Sequence, residues 1–278
     1  MTSSERHDLL VIGGGPGGAA TSYWAAQHGL DVVCVEKKQF PRDKTCGDGL
    51  TPRAVKQLQD MGLASNLEQY HRYGGLRAIA HGKTLELAWP DHPDYPNYGY
   101  VVRRCDLDQF VAENASNAGA TIHQGTEAVT PITRNGMLLG ATVKDVASGE
   151  TRDIHARYVV VADGANSRFG RALGTGRDRT YPQGMAIRGY FESPMHDDPW
   201  IESALDVRDR RGNSVPGYGW IFPVGNGTIN VGIGLLSTFR DWKAINTSYL
   251  MAEFSATLPS YWGIDPENPI APPTGGRL

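Results

Sequence analysis

Asp8–Glu36 reads DLLVIGGGPGGAATSYWAAQHGLDVVCVE, and the order of its parts decides the fold. Asp8–Ile12 is an apolar run that stops at glycine, the pattern of a buried strand. Gly13, Gly15 and Gly18 follow at G-x-G-x-x-G spacing. Pro16–His28 carries small and apolar residues suited to a helix, with Pro in its first turn and Gly29 to end it. Val32–Val35 reads as a second buried strand, closed by Glu36. Each glycine has a mechanical task. Gly13 permits the tight turn, Gly15 lets a pyrophosphate approach the backbone, and Gly18 lets the helix pack closely on the strand. Pro16 and Gly17 open the helix, whose free N–H groups and positive dipole end face an anion. Glu36 sits where a carboxylate accepts hydrogen bonds from ribose hydroxyls and repels a 2′-phosphate, which favours FAD or NAD over NADP. Lys37, next in the chain, joins the same set of cofactor-binding candidates. A lone glycine motif is weak, but here strand, turn, helix, strand and acid fall in order within about 30 residues.

The chain has 278 residues, room for one large or two small domains. A formal charge of −3 gives no general attraction to nucleic acid or anionic membrane. No apolar run approaches the ~18 residues of a membrane span, and MTSSERHD at the start has no apolar signal core. Cys34, Cys46 and Cys105 form no C-x-x-C pair and no disulfide framework, which fits a reducing compartment. These features point to a cytoplasmic protein and are compatible with peripheral contact at the inner face of the cell membrane.

Phe40–Ala54 (FPRDKTCGDGLTPRA) reads as a loop, and a helix is expected over Pro52–Met61. Within the loop Lys44, Thr45, Cys46, Gly47, Asp48 and Gly49 form a compact polar cluster. Cys46 has polar, glycine-rich neighbours, whereas Cys34 lies inside a strand and reads as core. Hairpin alternation over Tyr73–Trp89 turns at His81-Gly82-Lys83, and Tyr98–Val102 leads back to a helix over Asp106–Asn117. Leu107, Phe110, Val111 and Ala115 give that helix an apolar stripe. Gly119–Gln124 reads as a third sheet strand. Ala128–Pro131, Leu138–Asp145 and Thr151–Ala156 read as a meander, with turns at Asn135-Gly136 and Ser148-Gly149. A separate apolar strand, Tyr158–Ala162, stops at Asp163-Gly164. Strands follow over Gln183–Glu192, Trp200–Val207, Tyr218–Val224 and Thr228–Leu236, the last two joined by Gly225-Asn226-Gly227. Phe239, Trp242, Ile245, Tyr249 and Leu250 fall at helical spacing, with Thr238 and Asp241 as a capping pair.

This order resembles the α/β FAD-binding, Rossmann-like domain of the glutathione-reductase-like flavoproteins, in their aromatic-hydroxylase branch. An inserted antiparallel-sheet substrate domain goes with it. Arg104-Cys105-Asp106-Leu107-Asp108 resembles the branch's R-x-x-L-D element, which implies that Arg104 lies beside the flavin. Asp163-Gly164-Ala165-Asn166-Ser167 resembles its D-G-x-x-S motif, which implies that Asp163 and Gly164 approach the pyrophosphate and ribitol. The arginine expected three residues after the serine is Gly170 here, flanked by Arg168 and Arg171. The expected division is an FAD-binding domain over residues 1–72 and 101–178 and a substrate domain over 73–100 and 179–278.

Tyr218-Gly219-Trp220-Ile221-Phe222-Pro223, then Gly232-Ile233-Gly234 after eight residues, matches Y-x-W-x-F-P-x(7–8)-G-x-G. With Lys44–Leu50 (KTCGDGL) it resembles the geranylgeranyl reductase family of flavoenzymes, and overall similarity is greatest to actinobacterial menaquinone reductases. The resemblance implies that Tyr218, Trp220, Phe222, Gly232 and Gly234 line a prenyl pocket. It further implies that Cys46 and Gly47 lie beside the flavin, and that Cys46, Tyr218 and Trp220 serve catalysis. Alone, the three aromatics would read as core packing. The implied reaction is FAD-dependent reduction of an isolated prenyl C=C bond, in a menaquinone tail or a geranylgeranyl group. Electrons would come from NAD(P)H or a protein carrier, since no second dinucleotide motif is present. The family's later Gly-Asp flavin motif is not in these 278 residues, so the chain reads as C-terminally truncated. Two alternatives stand beside this reading. One is a flavin monooxygenase or halogenase on the same scaffold. The other is an inactive truncated protein that binds nucleotide or prenyl lipid.

Overall fold

A computed structural model describes residues 5–277, apart from 177, 179, 209–210, 216 and 239–245. In chain order the elements begin β1 (Glu5–Ile12), α1 (Pro16–Gln27), β2 (Val32–Glu36), β3 (Gly49–Leu50), α2 (Pro52–Asp60) and α3 (Ala64–Leu67). Next come β4 (His71–Tyr73), β5 (Gly75–Ala80), β6 (Lys83–Ala88), β7 (Gly99–Val101), α4 (Arg104–Asn117) and β8 (Thr121–Gln124). They continue with β9 (Thr126–Arg134), β10 (Met137–Asp145), β11 (Thr151–Val161), α5 (Arg168–Ala172), β12 (Gly184–Glu192) and β13 (Trp200–Ala204). The last are β14 (Gly217–Gly225), β15 (Thr228–Leu236), α6 (Thr247–Ala256) and β16 (Thr274–Arg277). Two compact units result, one of residues up to Asp43 with Cys105–Asp178, the other of Lys44–Arg104 with the residues from Arg179 on.

The first unit is built on a sheet of order β8-β2-β1-β11-β10-β9. β8, β2, β1 and β11 run parallel, and β10 and β9 complete the edge in antiparallel fashion. Because successive side chains point to opposite faces, β1 feeds two cores. Leu10 and Ile12 join Val33, Val35, Ile154 and Phe169. Leu9 and Val11 join Val32, Cys34, Ala115 and Ala120. A strand buried on both faces reads as an unbroken apolar run, which is why β1 and β2 are legible in the sequence. The expected stripe of α4 is buried at Leu107, Phe110, Val111 and Ala115.

The meander differs from expectation in one respect. Its third strand and the following apolar strand are one strand, β11. Its first part, Thr151–His155, pairs with β10, and Ile154–Val161 run along β1. Arg157 and Tyr158 interrupt the apolar pattern because they are exposed there, while the backbone pairing continues past them.

The second unit holds a sheet of order β16-β12-β15-β14-β13-β5-β6 and a small sheet β3-β7-β4. The large sheet is antiparallel except where β13 runs parallel to β5, so the fully antiparallel expectation is corrected at that pair. The hairpin turns have the backbone their residues predict: φ is 50° and 71° at His81-Gly82, and 80°, 46° and 84° across Gly225-Asn226-Gly227. Side chains of β15 alternate between two environments. Ile229, Val231, Ile233 and Leu235 enter a core with Leu250, Met251, Phe254 and Trp262. Asn230, Gly232 and Gly234 take the other face.

Several boundaries differ from the sequence pattern. β13 ends at Ala204 rather than Val207. The loop over 40–54 includes the short strand β3, which pairs with β7. β16 carries no strand signal of its own; it adds to the edge of β12. Helix α6 starts after Asn246, whose side chain accepts from the N–H groups of Ser248 and Tyr249. Phe239, Asp241, Trp242 and Ile245 of the expected helix lie outside the described residues. The units also differ from the expected domain division. Residues 44–72 and 101–104 group with the second unit, because β3 and β4 both pair with β7.

Candidate functional site

In the first unit the glycine turn has the geometry its spacing implies. Gly13 has φ +98°, and a Cβ on it would lie 2.6 Å from the Ala162 carbonyl oxygen. A Cβ on Gly18 would lie 1.8 Å from the Gly13 carbonyl oxygen, so only glycine lets α1 sit this close to β1. By contrast, a Cβ on Gly17 would meet nothing within 4 Å. Gly15 caps α1 and Pro16 follows, so the first N–H groups of the helix have no partner within it.

Glu36 is buried. Its Oε2 accepts from the Gly14 N–H at 2.8 Å and its Oε1 from the Lys38 N–H at 2.9 Å. A carboxylate has further lone pairs, so ribose hydroxyls remain within its capacity. Lys37 instead turns to Glu127, at 2.7 Å. Arg42, which the sequence did not single out, lies 3.5 Å from Glu36 through Nε and 3.1 Å from the buried Asp108 through Nη1. Its Nη2 is 3.4 Å from the position of a Cβ on Gly15, which puts a guanidinium at the rim of the glycine turn. Asp163 closes β11 beside Gly13, and its Oδ2 accepts from the Phe169 N–H at 3.4 Å. Among the described residues its buried Oδ1 has no donor, the state expected of an acceptor meant for a ligand hydroxyl. Gly164 has φ +89°, and Ser167 caps α5 through the Gly170 N–H. Arg171 donates to the Asn166 carbonyl at 3.2 Å, while Arg168 is exposed. A tight glycine turn, a helix N-terminus, Glu36 and the unsatisfied Asp163 oxygen all fit a dinucleotide such as FAD.

In the second unit Tyr218, Trp220 and Phe222 form a row along one face of β14, with ring centroids 5.7 Å and 6.4 Å apart. Gly232 stands opposite Trp220 and Gly234 opposite Tyr218. Gly232 gives room to the Trp220 ring, whereas a Cβ on Gly234 would meet Tyr218 only at an ordinary 3.6 Å. Gly219, the spacer of the motif, serves the other face, where the Phe254 ring occupies the place of its Cβ. Trp220 is buried and Tyr218 is 43% exposed, so the two aromatics have different access to a ligand.

The Cys46 loop lies on this row. Cβ atoms on Gly47 and Gly49 would stand 2.9 Å and 3.0 Å from Phe222, so both glycines let the loop backbone close on the ring. Arg104 Nη1 donates to Cys46 Sγ at 3.4 Å. Burial raises the Tyr218 phenol above its ordinary value, and Cys46 raises it further. Beneath the loop lies a polar group that the sequence did not assign. Asp48 accepts from the Tyr190 hydroxyl at 2.5 Å, the Asn230 amide at 2.8 Å and the Arg104 N–H at 3.1 Å. Burial pushes the Asp48 carboxyl upward, against these donors and the nearby Arg188. The polar cluster of the loop includes Asp48 but no local pattern marks Tyr190 or Asn230; the three become meaningful together only when paired.

Among the described residues no helix is long and apolar enough to cross a membrane. The FAD binding domain family matches residues 6–245. A menaquinone reductase of Mycolicibacterium smegmatis is 42% identical over 259 residues, covering 93% of this chain and 62% of the relative. A digeranylgeranylglycerophospholipid reductase of Methanosphaera stadtmanae is 32% identical over 98% of this chain and 67% of its own length. The crystal structure of a geranylgeranyl bacteriochlorophyll reductase-like protein from Thermoplasma acidophilum superposes with TM-score 0.80 at 25% identity, over 99% of this chain and 67% of that one. The chain therefore spans about three fifths of the length of the menaquinone reductases it matches. It belongs to the FAD-binding-domain family, among the geranylgeranyl-reductase flavoproteins.

Proposed function

We propose that the protein to which these residues belong reduces an isolated C=C bond in a prenyl chain, with the isoprenoid tail of menaquinone as the first candidate. The observation that carries this reading is the Cys46 loop closed on the Tyr218–Trp220–Phe222 row. An apolar chain needs an apolar wall with few polar groups, and this row supplies one. Bound FAD, once reduced, supplies the hydride. We assign the adenosine and pyrophosphate to Gly13, Gly15, Pro16, Gly17, Gly18 and Glu36, and the ribitol to Asp163 and Gly164. Lys37 is left to its pairing with Glu127. The residues of the second unit position the alkene and exclude water, which matters because an unactivated alkene is a poor hydride acceptor. Tyr218 and Cys46 are the protic groups on that wall. Tyr218, held above the ordinary phenol value, keeps its proton at neutral pH. NAD(P)H or a protein carrier is the proposed reductant, and peripheral attachment to the inner face of the membrane would give access to a lipid substrate.

The test is to express the full-length frame, confirm flavin loading, and measure dithionite-driven reduction of menaquinone and of geranylgeranyl lipids by mass spectrometry. A gain of two hydrogens on the prenyl tail is the expected result. A flavin-loaded protein that leaves every prenyl chain intact but consumes oxygen productively on an aromatic substrate would move the assignment to the monooxygenases or halogenases.

A further inference from the structure

We propose that Asn230 is a positioning residue that, seated by Asp48, holds the Cys46 loop in register on the aromatic strand. The proposal rests on the reading above that the Cys46 loop serves the reaction. Asn230 is fully buried, and both ends of its amide are hydrogen-bonded. Its Oδ1 accepts from the Trp220 indole N–H at 2.9 Å. Its Nδ2 donates to the Cys46 carbonyl at 3.1 Å and to Asp48 Oδ2 at 2.8 Å. The opposite amide orientation would face an acceptor with two acceptors and a donor with a donor, so the neighbours dictate this one.

The loop needs such a holder. Residues 44–48 lie outside the strands, yet the Lys44, Cys46 and Asp48 carbonyls each accept a hydrogen bond. The Lys44 carbonyl is met by Arg188 Nη2 at 3.4 Å and the Cys46 carbonyl by Asn230. Asp48 has φ 67°, a left-handed conformation that a non-glycine residue keeps only where its surroundings fix it. Tyr190, Asn230 and the Arg104 N–H do so. One side chain thus ties the wall tryptophan, the cysteine backbone and the carboxylate together. Shifting the loop by one residue would break every one of these bonds at once.

The test reads the loop directly. The chain is alkylated with iodoacetamide, and the rate at each cysteine is followed by peptide mass spectrometry, with Cys105 as internal reference. Asn230→Asp removes the donor and sets a second carboxylate beside Asp48. The expected result is a rise of at least roughly tenfold at Cys46, since the two hydrogen bonds of the amide N–H groups leave the local opening equilibrium, with Cys105 unchanged. Tyr190→Phe removes a single donor from Asp48 and is the milder variant should Asn230→Asp fold poorly; it should raise the Cys46 rate by about threefold. Cys46 rates within about twofold of wild type in the folded variants would overturn the proposal. The flavin-loaded enzyme separates the two ideas. Prenyl reduction with an unresponsive Cys46 leaves the function standing and removes the role of Asn230. A responsive Cys46 in a protein that reduces no prenyl chain does the reverse.

Discussion

Trp220 lies flat across Gly232: a Cβ on Gly232 would stand 2.1 Å from indole Cζ2. The two residues pair directly across β14 and β15, so the absent side chain of Gly232 is the space that the Trp220 ring fills. Gly232→Ala must displace the indole and break its bond to Asn230. Overpacking of this kind costs about 1–3 kcal/mol. The measurement is urea denaturation with tryptophan fluorescence, and an unchanged midpoint and spectrum would contradict the packing described.

The glycine turn offers a matched pair of substitutions. Gly18→Ala drives a methyl into the Gly13 carbonyl, whereas Gly17→Ala meets open space. Purified Gly18→Ala protein should contain little flavin and melt lower. Gly17→Ala should keep its melting temperature or gain up to ~1 kcal/mol, as alanine replaces glycine near a helix start. Flavin absorbance per polypeptide and a thermal melt settle both outcomes.

Arg42 and Asp108 form a buried ion pair beside Gly15. Removing one partner leaves a buried charge with less compensation, a loss of roughly 3–5 kcal/mol. Asp108→Ala should therefore destabilise the chain strongly in chemical denaturation. Arg42→Lys, which keeps the charge but not the forked geometry, should weaken flavin retention more than stability. Equal effects on the two readouts would make Arg42 purely structural.

Asp48 gives a pH dependence with a definite sign. Burial raises its carboxyl above the unfolded value of 3.8, so the folded state binds the proton more tightly. Stability from this group is greatest at acid pH and falls as pH rises through the raised value. The Asp48→Asn variant has no titrating group at this position. Relative to that variant, the wild type should gain melting temperature as pH is lowered from neutrality toward 4, roughly the ordinary carboxylate range. A constant difference between the two proteins across that range would show that the donors around Asp48 cancel its burial.

Much of the fold was legible because the signals are local. The β1–α1–β2 run, the hairpins at His81-Gly82 and Gly225-Asn226-Gly227, and the stripe of α4 rest on periodicity and turn chemistry within a few residues. Boundaries differ from the pattern where strand pairing overrides it. Arg157 and Tyr158 break an apolar run but not the backbone ladder of β11, and the polar loop over 40–54 gains a strand only because β7 is there to receive it.

The sequence by itself determined the glycine turn with its acid, and the aromatic strand with its two glycines, because spacing along a helix or strand fixes which side chains share a face. Only the tertiary structure decided what those features touch. Asn230 and Asp48 are separated by 182 residues, and Arg42 reaches Asp108 from a different element. Contacts at such separation follow from strand order and packing, which no local pattern of residues encodes. The opposition of Gly232 to Trp220, Phe254 over Gly219 and the holding of the Cys46 loop were settled by the folded chain alone.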